Sequence, residues 1–355
     1  MRLMSGSRDI KAAAWLLHNF KMRIFVARKI PGSEVEKLKP IGEVIISEKD
    51  EVLAPGELIE KAKGVDGLLC LLTDKIDGDV MDAIGPQLKI ISNYAVGFDN
   101  ININDATDRG IVVTNTPCDE VNEAVAEHTW ALVLALARRV VESDEFVRQE
   151  GYFAGKGGYK GWEPDLFLGT NLIGKTLGIV GLGRIGTMVA RRAQGYSMNI
   201  VYNKHSRDIE CEEKMGIKYC TLDELLSQSD FVSLHVPLND ETRGMMSKGS
   251  FAKMKKGAYL INTARGPVVD ESDLVEALKE EKLLGAALDV FESEPQINPE
   301  LISMPNVILT PHIASATHEA REKMGELAVS AIISVLSGKK PETIVDEKVW
   351  EKRRK

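Results

Sequence analysis

Cationic excess is missing from this chain. Its 45 Lys and Arg against 53 Asp and Glu leave a net charge of −8 over 355 residues. That balance gives no general attraction to nucleic acid or to an anionic membrane surface, and neither is expected as a partner. Cysteine is scarce, and the four present (Cys70, Cys118, Cys211 and Cys220) are scattered without metal-ligand spacing. No metal is therefore expected, and reduced thiols in a cytoplasmic protein are the plain reading. No apolar run approaches the ~20 residues of a membrane-spanning helix. Internal repeats and low-complexity tracts are also lacking. One short apolar stretch, Ala12–Leu17, has Asp9 and Lys11 before it and His18 and Lys21 after it, with no small-residue cleavage site. Residues 1–21 are read as an N-terminal extension rather than a signal peptide.

What is present is ordinary soluble composition, 44% hydrophobic and 28% charged, in a chain long enough for two domains. Short apolar runs alternate with helical stretches, the pattern of parallel βαβ sheets. Strand candidates fall at 22–27, 43–46, 67–72, 89–93 and 111–113. From Asp119 a helical pattern runs unbroken to about Arg148, and a loop rich in glycine ends it. A second series follows, with strands near 176–180, 199–202, 230–234, 257–261, 285–289 and 307–309. The tail Glu351–Lys355 is charged and expected to fray.

The second series opens with Gly181-Leu182-Gly183-Arg184-Ile185-Gly186. A lone G-x-G-x-x-G is weak evidence. Here a buried strand precedes it and a helix follows, which is the context a dinucleotide loop requires. Gly181 permits the tight turn, Gly183 lets a pyrophosphate approach the backbone, and Gly186 lets helix and strand pack. The next strand ends near Asn203, Lys204, His205, Ser206 and Arg207, with no carboxylate until Asp208. NAD-specific sites place an acid there for the ribose hydroxyl. A cation favours a 2′-phosphate instead, so NADP(H) is expected to be preferred, with NAD(H) the alternative.

Three polar residues stand out in the C-terminal third: Arg265 in NTARG, Glu294 in DVFESEP and His312 in TPHI. An arginine can grip a carboxylate with two parallel hydrogen bonds. A histidine backed by a glutamate can carry a proton at neutral pH. Beside a dinucleotide loop, these residue types describe the reduction of a 2-oxo acid or the oxidation of a 2-hydroxy acid.

The motifs GKTLGIVGLGRIG (174–186), NTARGPVVDE (262–271), ALDVFESEP (287–295) and TPHIASAT (310–317) resemble those of D-isomer-specific 2-hydroxyacid dehydrogenases. So do LLTDKID (71–77) and SNYAVGFDNI (92–101). Within that family the chain is most similar to the glyoxylate and hydroxypyruvate reductases. The resemblance implies two flavodoxin-like or Rossmann-like α/β domains with parallel sheets, the cofactor domain inserted within the substrate domain. The substrate domain would be 22–120 plus 312–347, and the NAD(P)-binding domain 121–311. It further implies that Arg265 binds substrate, that His312 is the general acid–base and that Glu294 is its partner. Asp289 would hold the nicotinamide carboxamide, and Thr263 and Ala264 would pass beside the nicotinamide. Val236 and Pro237 would edge the adenine pocket, Thr242 would make a phosphate-side contact, and Ala95, Val96 and Gly97 would receive the substrate carboxylate. A homodimer is implied, built on the helix from Asp119 and the arm through Trp162. His128 and Trp130 on that helix read as packing or interface residues, and His235 as a packed core histidine. Two alternatives stay open: a nucleotide-sensing corepressor-like binding protein, and a phosphoglycerate dehydrogenase-type enzyme.

Overall fold

The computed structural model describes residues 22–149 and 162–355. The N-terminal extension and most of the glycine-rich loop lie outside the described residues. The chain divides into two compact units, one of residues up to Glu120 with Thr317–Lys355, the other Val121–Ala316.

In the first unit, β1 (Met22–Val26), β2 (Gly42–Ile46), β3 (Gly67–Leu71), β4 (Ile90–Tyr94) and β5 (Val112–Thr114) form one sheet in the order β2-β1-β3-β4-β5. Every pairing is parallel. Leu68, Leu69, Cys70, Ile90 and Ile91 of the inner strands are wholly buried, which is why these runs read as continuously apolar rather than alternating. The helix His318–Leu336 covers one face, where its carbonyls at Ala328 and Arg321 accept from Ser92 Oγ at 3.0 Å and Tyr94 Oη at 2.7 Å.

In the second unit, β6 (Thr176–Val180), β7 (Asn199–Asn203), β8 (Lys218–Tyr219), β9 (Phe231–Leu234), β10 (Ala258–Asn262), β11 (Leu283–Leu288) and β12 (Val307–Leu309) form a seven-stranded sheet. Its order is β12-β11-β10-β9-β6-β7-β8, again all parallel. The winding reverses at β6, whose neighbours are β7 on one side and β9 on the other. In open parallel sheets, ligands bind beyond the strand C-termini at such a reversal. The expected α/β architecture is therefore present in both sheets.

Three features depart from the sequence reading. Strand β8 has only two residues, too few for an apolar run to announce it. The long helix is broken: one segment runs Asp119–Ala137, Arg139 adopts a left-handed φ of 53°, and a second runs Val140–Arg148. The Ala137 carbonyl is taken at 2.7 Å by the returning Thr170 N–H. The tail is docked rather than frayed. Arg354 donates to the carbonyls of Arg109 (2.8 Å), Gly85 and Leu88 (both 3.1 Å), and its own N–H reaches Gly110 O at 2.9 Å.

Candidate active site

The glycine loop leaves β6 at the winding reversal. Gly181 has φ +98°, and a Cβ there would lie 2.6 Å from the carbonyl oxygen of His235, just past the end of β9. Only glycine meets both demands. A Cβ on Gly186 would strike Gly181 O at 2.3 Å, whereas one on Gly183 would have no atom of the described residues within 4 Å. That open space lies at the start of the helix Arg184–Gly195, which has no side-chain cap among the described residues. Arg184, Ile185 and Gly186 form its first turn, so their N–H groups face outward, the arrangement that holds phosphate. A dinucleotide pyrophosphate fits this cradle.

Beside it, β7 ends at Asn203, whose carbonyl accepts from Gly181 N at 2.9 Å. The following turn is basic, and each of its basic side chains lies against a carboxylate. Lys204 pairs with Asp208 (3.3 Å), His205 with Glu241 (3.2 Å) and Arg207 with Glu212 (2.7 Å). Ser206 is exposed in the same turn. Val236 and Pro237 follow β9, where Thr242 donates its hydroxyl hydrogen to Pro237 O at 2.6 Å and fixes the turn. His235 is half-buried, with Nε2 2.9 Å from Ser233 Oγ, and desolvation of its ring lowers its pKa to about 4. It is a neutral core histidine.

Arg265 sits three residues beyond β10, on a turn built by buried Asn262. The Asn262 Oδ1 accepts from Ala264 N, and its Nδ2 donates to Arg265 O, both at 3.0 Å. Thr263 pairs with Thr129 through their hydroxyls at 2.9 Å. Arg265 Nη1 donates to Ala264 O at 2.8 Å, which orients the guanidinium. Behind it, a Cβ on Gly266 would fall 1.8 Å from Phe291 O. Glycine thus brings the Arg265 turn backbone-to-backbone against the loop that carries Glu294. Glu271 and Glu292 brace the same junction, since Glu292 N donates to Glu271 Oε1 at 2.8 Å.

Glu294 Oε1 accepts from Phe291 N at 3.0 Å, and its Oε2 lies 2.8 Å from His312 Nδ1. Burial pushes the Glu294 carboxyl upward, but His312, the Phe291 N–H and the Arg265 charge outweigh it and leave the carboxyl below its ordinary range. Glu294 is therefore an anion at neutral pH, and its partner nitrogen on His312 must carry hydrogen. That leaves Nε2 as the end of the ring able to exchange a proton.

His312 adopts φ +53°, a left-handed conformation that costs a non-glycine residue about 1–2 kcal/mol. Asp289, at the end of β11 and fully buried, holds it there. Its backbone carbonyl accepts from His312 N at 2.8 Å. Its carboxylate accepts from Ile313 N (2.9 Å) and Ala314 N (2.8 Å), and from Thr310 Oγ1 at 2.6 Å. Burial raises the Asp289 carboxyl, but His128, Thr310 and the two amides together bring it below its usual value. Hydrogen bonds to an ionised group contribute about 1.5–3 kcal/mol each, enough to offset the strain at His312.

The loop Ala95–Gly97 follows β4 in the first unit. Its carbonyls are held from behind, Ala95 O by Thr116 N (2.9 Å), Val96 O by Asn115 Nδ2 (2.7 Å) and Gly97 O by Asn93 Nδ2 (2.9 Å). In trans peptides the N–H points opposite to the carbonyl, so the next amides in the loop face away from these anchors.

The structure thus brings Arg265, Glu294, His312, Asp289, Thr263 and Ala264 to the C-terminal ends of neighbouring strands, with the glycine loop on the same edge. The sequence reading missed Asn262 and Thr310 and gave His128 only a packing role. A buried asparagine closing an apolar strand was the available signal for the first. Among the described residues no group of His, Cys, Asp and Glu side chains could hold a metal ion, and no helix is long and apolar enough to cross a membrane.

Residues 130–314 match the family model for the NAD-binding domain of D-isomer specific 2-hydroxyacid dehydrogenases. A glyoxylate reductase of Thermococcus litoralis is 47% identical over 329 residues, covering 93% of this chain and 98% of that protein. Among solved structures, a protein of Thermus thermophilus superposes with a TM-score of 0.83 at 41% identity, covering 92% of this chain and all of that one. An NADPH-dependent glyoxylate/hydroxypyruvate reductase of Sinorhizobium meliloti, solved with NADP and malonate, gives 0.80 at 32% identity, covering 95% and 99%. Sequence likeness across nearly the whole chain joins the fold and the site geometry in one conclusion: this chain belongs to the D-isomer-specific 2-hydroxyacid dehydrogenase family and is an NAD(P)-dependent oxidoreductase.

Proposed function

We propose that the protein reduces glyoxylate, and hydroxypyruvate as a close second, with Arg265, Glu294 and His312 as the working residues. The observation that carries this reading is the 2.8 Å contact of Glu294 with His312 Nδ1, set on the same strand edge as Arg265. The bound nicotinamide supplies the hydride, and the residues after β6, β7 and β9 hold the rest of that cofactor. Arg265 binds the substrate carboxylate and polarises the carbonyl. His312 donates the Nε2 proton to the oxygen as it becomes an alkoxide. Glu294 stabilises the imidazolium before transfer and fixes the ring plane throughout. In the first unit, the amides facing away from the anchored carbonyls of Ala95–Gly97 suit a carboxylate.

NADPH is the proposed cofactor. Lys204 is paired with Asp208, but both side chains are about one-third exposed, and such pairs contribute about 0–1 kcal/mol. A 2′-phosphate with nearly two negative charges offers Lys204 more than that. A homodimer is proposed on the apolar side chains that Val140 (51% exposed), Val141 (46%), Val147 (45%) and Leu168 (67%) leave to solvent. Four free cysteines suit a cytoplasmic location.

The test is a steady-state comparison of glyoxylate, hydroxypyruvate, pyruvate and phosphohydroxypyruvate, each with NADPH and with NADH. The highest kcat/KM is expected for glyoxylate with NADPH. Preference for phosphohydroxypyruvate would favour a phosphoglycerate dehydrogenase-type enzyme instead, and no turnover with cofactor still bound would favour a binding protein.

A further inference from the structure

We propose that His128 is a positioning residue for catalysis, acting on His312 through Thr310 and Asp289. His128 lies on the helix Asp119–Ala137, far from His312 in the chain. Its Nε2 is 3.1 Å from Thr310 Oγ1 and 3.5 Å from Asp289 Oδ1. Thr310 Oγ1 in turn lies 2.6 Å from Asp289 Oδ1. Hydrogen counting fixes the direction of this chain. A buried carboxylate only accepts, so the single hydroxyl hydrogen of Thr310 goes to Asp289. Thr310 then has only lone pairs to offer His128, and His128 must present Nε2–H.

The relay ends on the residue that sets the backbone of His312. Asp289 holds the N–H groups of His312, through its backbone carbonyl, and of Ile313 and Ala314, through its carboxylate, while Thr310 O takes a share of the His312 N–H at 3.0 Å. Removing the His128 donor leaves Thr310 and the Asp289 carboxylate short of one partner in a buried site, where a lost hydrogen bond has a large effect. A rotation of the Asp289 carboxylate would release the Ile313 and Ala314 amides together, the two that directly follow His312. Proton delivery depends on the position of His312 Nε2, and misplacement by about 1 Å reduces a rate by as much as 10²-fold. His128 touches neither hydride nor proton in this scheme.

This inference rests on His312 as the proton donor. The experiment therefore compares His128→Ala and His128→Gln, each in the native protein and in a His312→Ala background, with cofactor affinity measured separately by fluorescence titration. Glutamine is chosen because its amide N–H can reach the position of Nε2. His128→Ala is expected to lower kcat by about 10- to 100-fold with cofactor Kd changed less than about threefold, and His128→Gln to recover most of that loss. In the His312→Ala background, His128→Ala should cost nothing further, because its route to the reaction is gone. An equal fractional loss in both backgrounds would overturn the proposal, as would a His128→Gln variant as slow as His128→Ala. Full activity in the His128 variants would overturn it alone, while full activity of His312→Ala would overturn the reading on which it stands.

Discussion

Glu294 Oε2 and His312 Nδ1 are 2.8 Å apart although 18 residues separate them in the chain. Two loops leaving β11 and β12 carry them, so the contact exists only once those strands are paired. It sets the histidine tautomer, and through that the ring nitrogen left for chemistry. Its partner Arg265 comes from β10, the next strand in the sheet.

Replacing His312 with alanine should lower kcat by about 10²–10⁴-fold while the cofactor still binds, the usual scale for losing a general acid. Stopped-flow kinetics with a parallel cofactor titration checks this. Loss of cofactor binding would show the histidine to be structural.

Arg265→Lys should remove most of kcat/KM, chiefly through substrate KM, because an ammonium cannot make the two parallel contacts of a guanidinium. The native Nη1 contact to Ala264 O would go as well, loosening the turn. Unchanged kinetics would take Arg265 out of the site.

Lys204→Asp should turn a preference for NADPH into one for NADH. The native cation, set against charge-assisted contacts of ~1.5–3 kcal/mol, implies roughly 10- to 150-fold discrimination. The new carboxylate would repel the phosphate and accept from a ribose hydroxyl, and it would stand beside Asp208, now without its partner. Equal kcat/KM for both cofactors in the unmutated protein would refute the assignment.

Asp289→Asn should destabilise the protein by roughly 3 kcal/mol at neutral pH, since an amide cannot accept from all three donors now on the carboxylate. The Asp289 carboxyl titrates below its ordinary value in the folded state. Its contribution is therefore complete above the unfolded value of about 3.9 and is lost as pH falls through the lower folded value. Urea titrations from pH 7 to pH 3 should show the gap between native and variant proteins constant down to about pH 4 and closing below it. A gap that widens in acid would contradict the assigned direction.

Multi-angle light scattering at micromolar concentration should return a dimer mass. Val141→Lys and Leu168→Lys together should shift it toward monomer, by placing charge at two exposed apolar positions. A monomer mass for the native protein would end the proposal.

Much of this molecule was legible before folding. Continuous apolar runs between amphipathic stretches marked parallel strands, because a strand covered on both faces has no polar side to show. The three glycines announced a βα turn with a ligand, because Gly181 takes a φ of +98°, Gly186 packs against Gly181 O and Gly183 leaves open space at the helix start. Arg265, Glu294 and His312 were singled out by chemical type, and the family resemblance came from the order of the motifs.

Tertiary structure decided what depends on partners distant in the chain. The helix break at Arg139 needs Thr170 to claim the Ala137 carbonyl, and the docked tail needs the carbonyls of Gly85, Leu88 and Arg109 to face Arg354. Lys204 reads as part of a basic turn in sequence and is paired with Asp208 in space. Asp289 reads as a cofactor contact in sequence, and the fold adds contacts from its carboxylate to Thr310, Ile313 and Ala314 that no spacing announced. His128 looked like packing, and it faces Thr310 across 182 residues. Hydrophobic pattern reports burial and turn chemistry reports local geometry, so both can be read along a chain. The partner of a buried polar group is fixed only when strands and helices pack, because a hydrogen bond demands one atom at one distance and sequence spacing does not specify it.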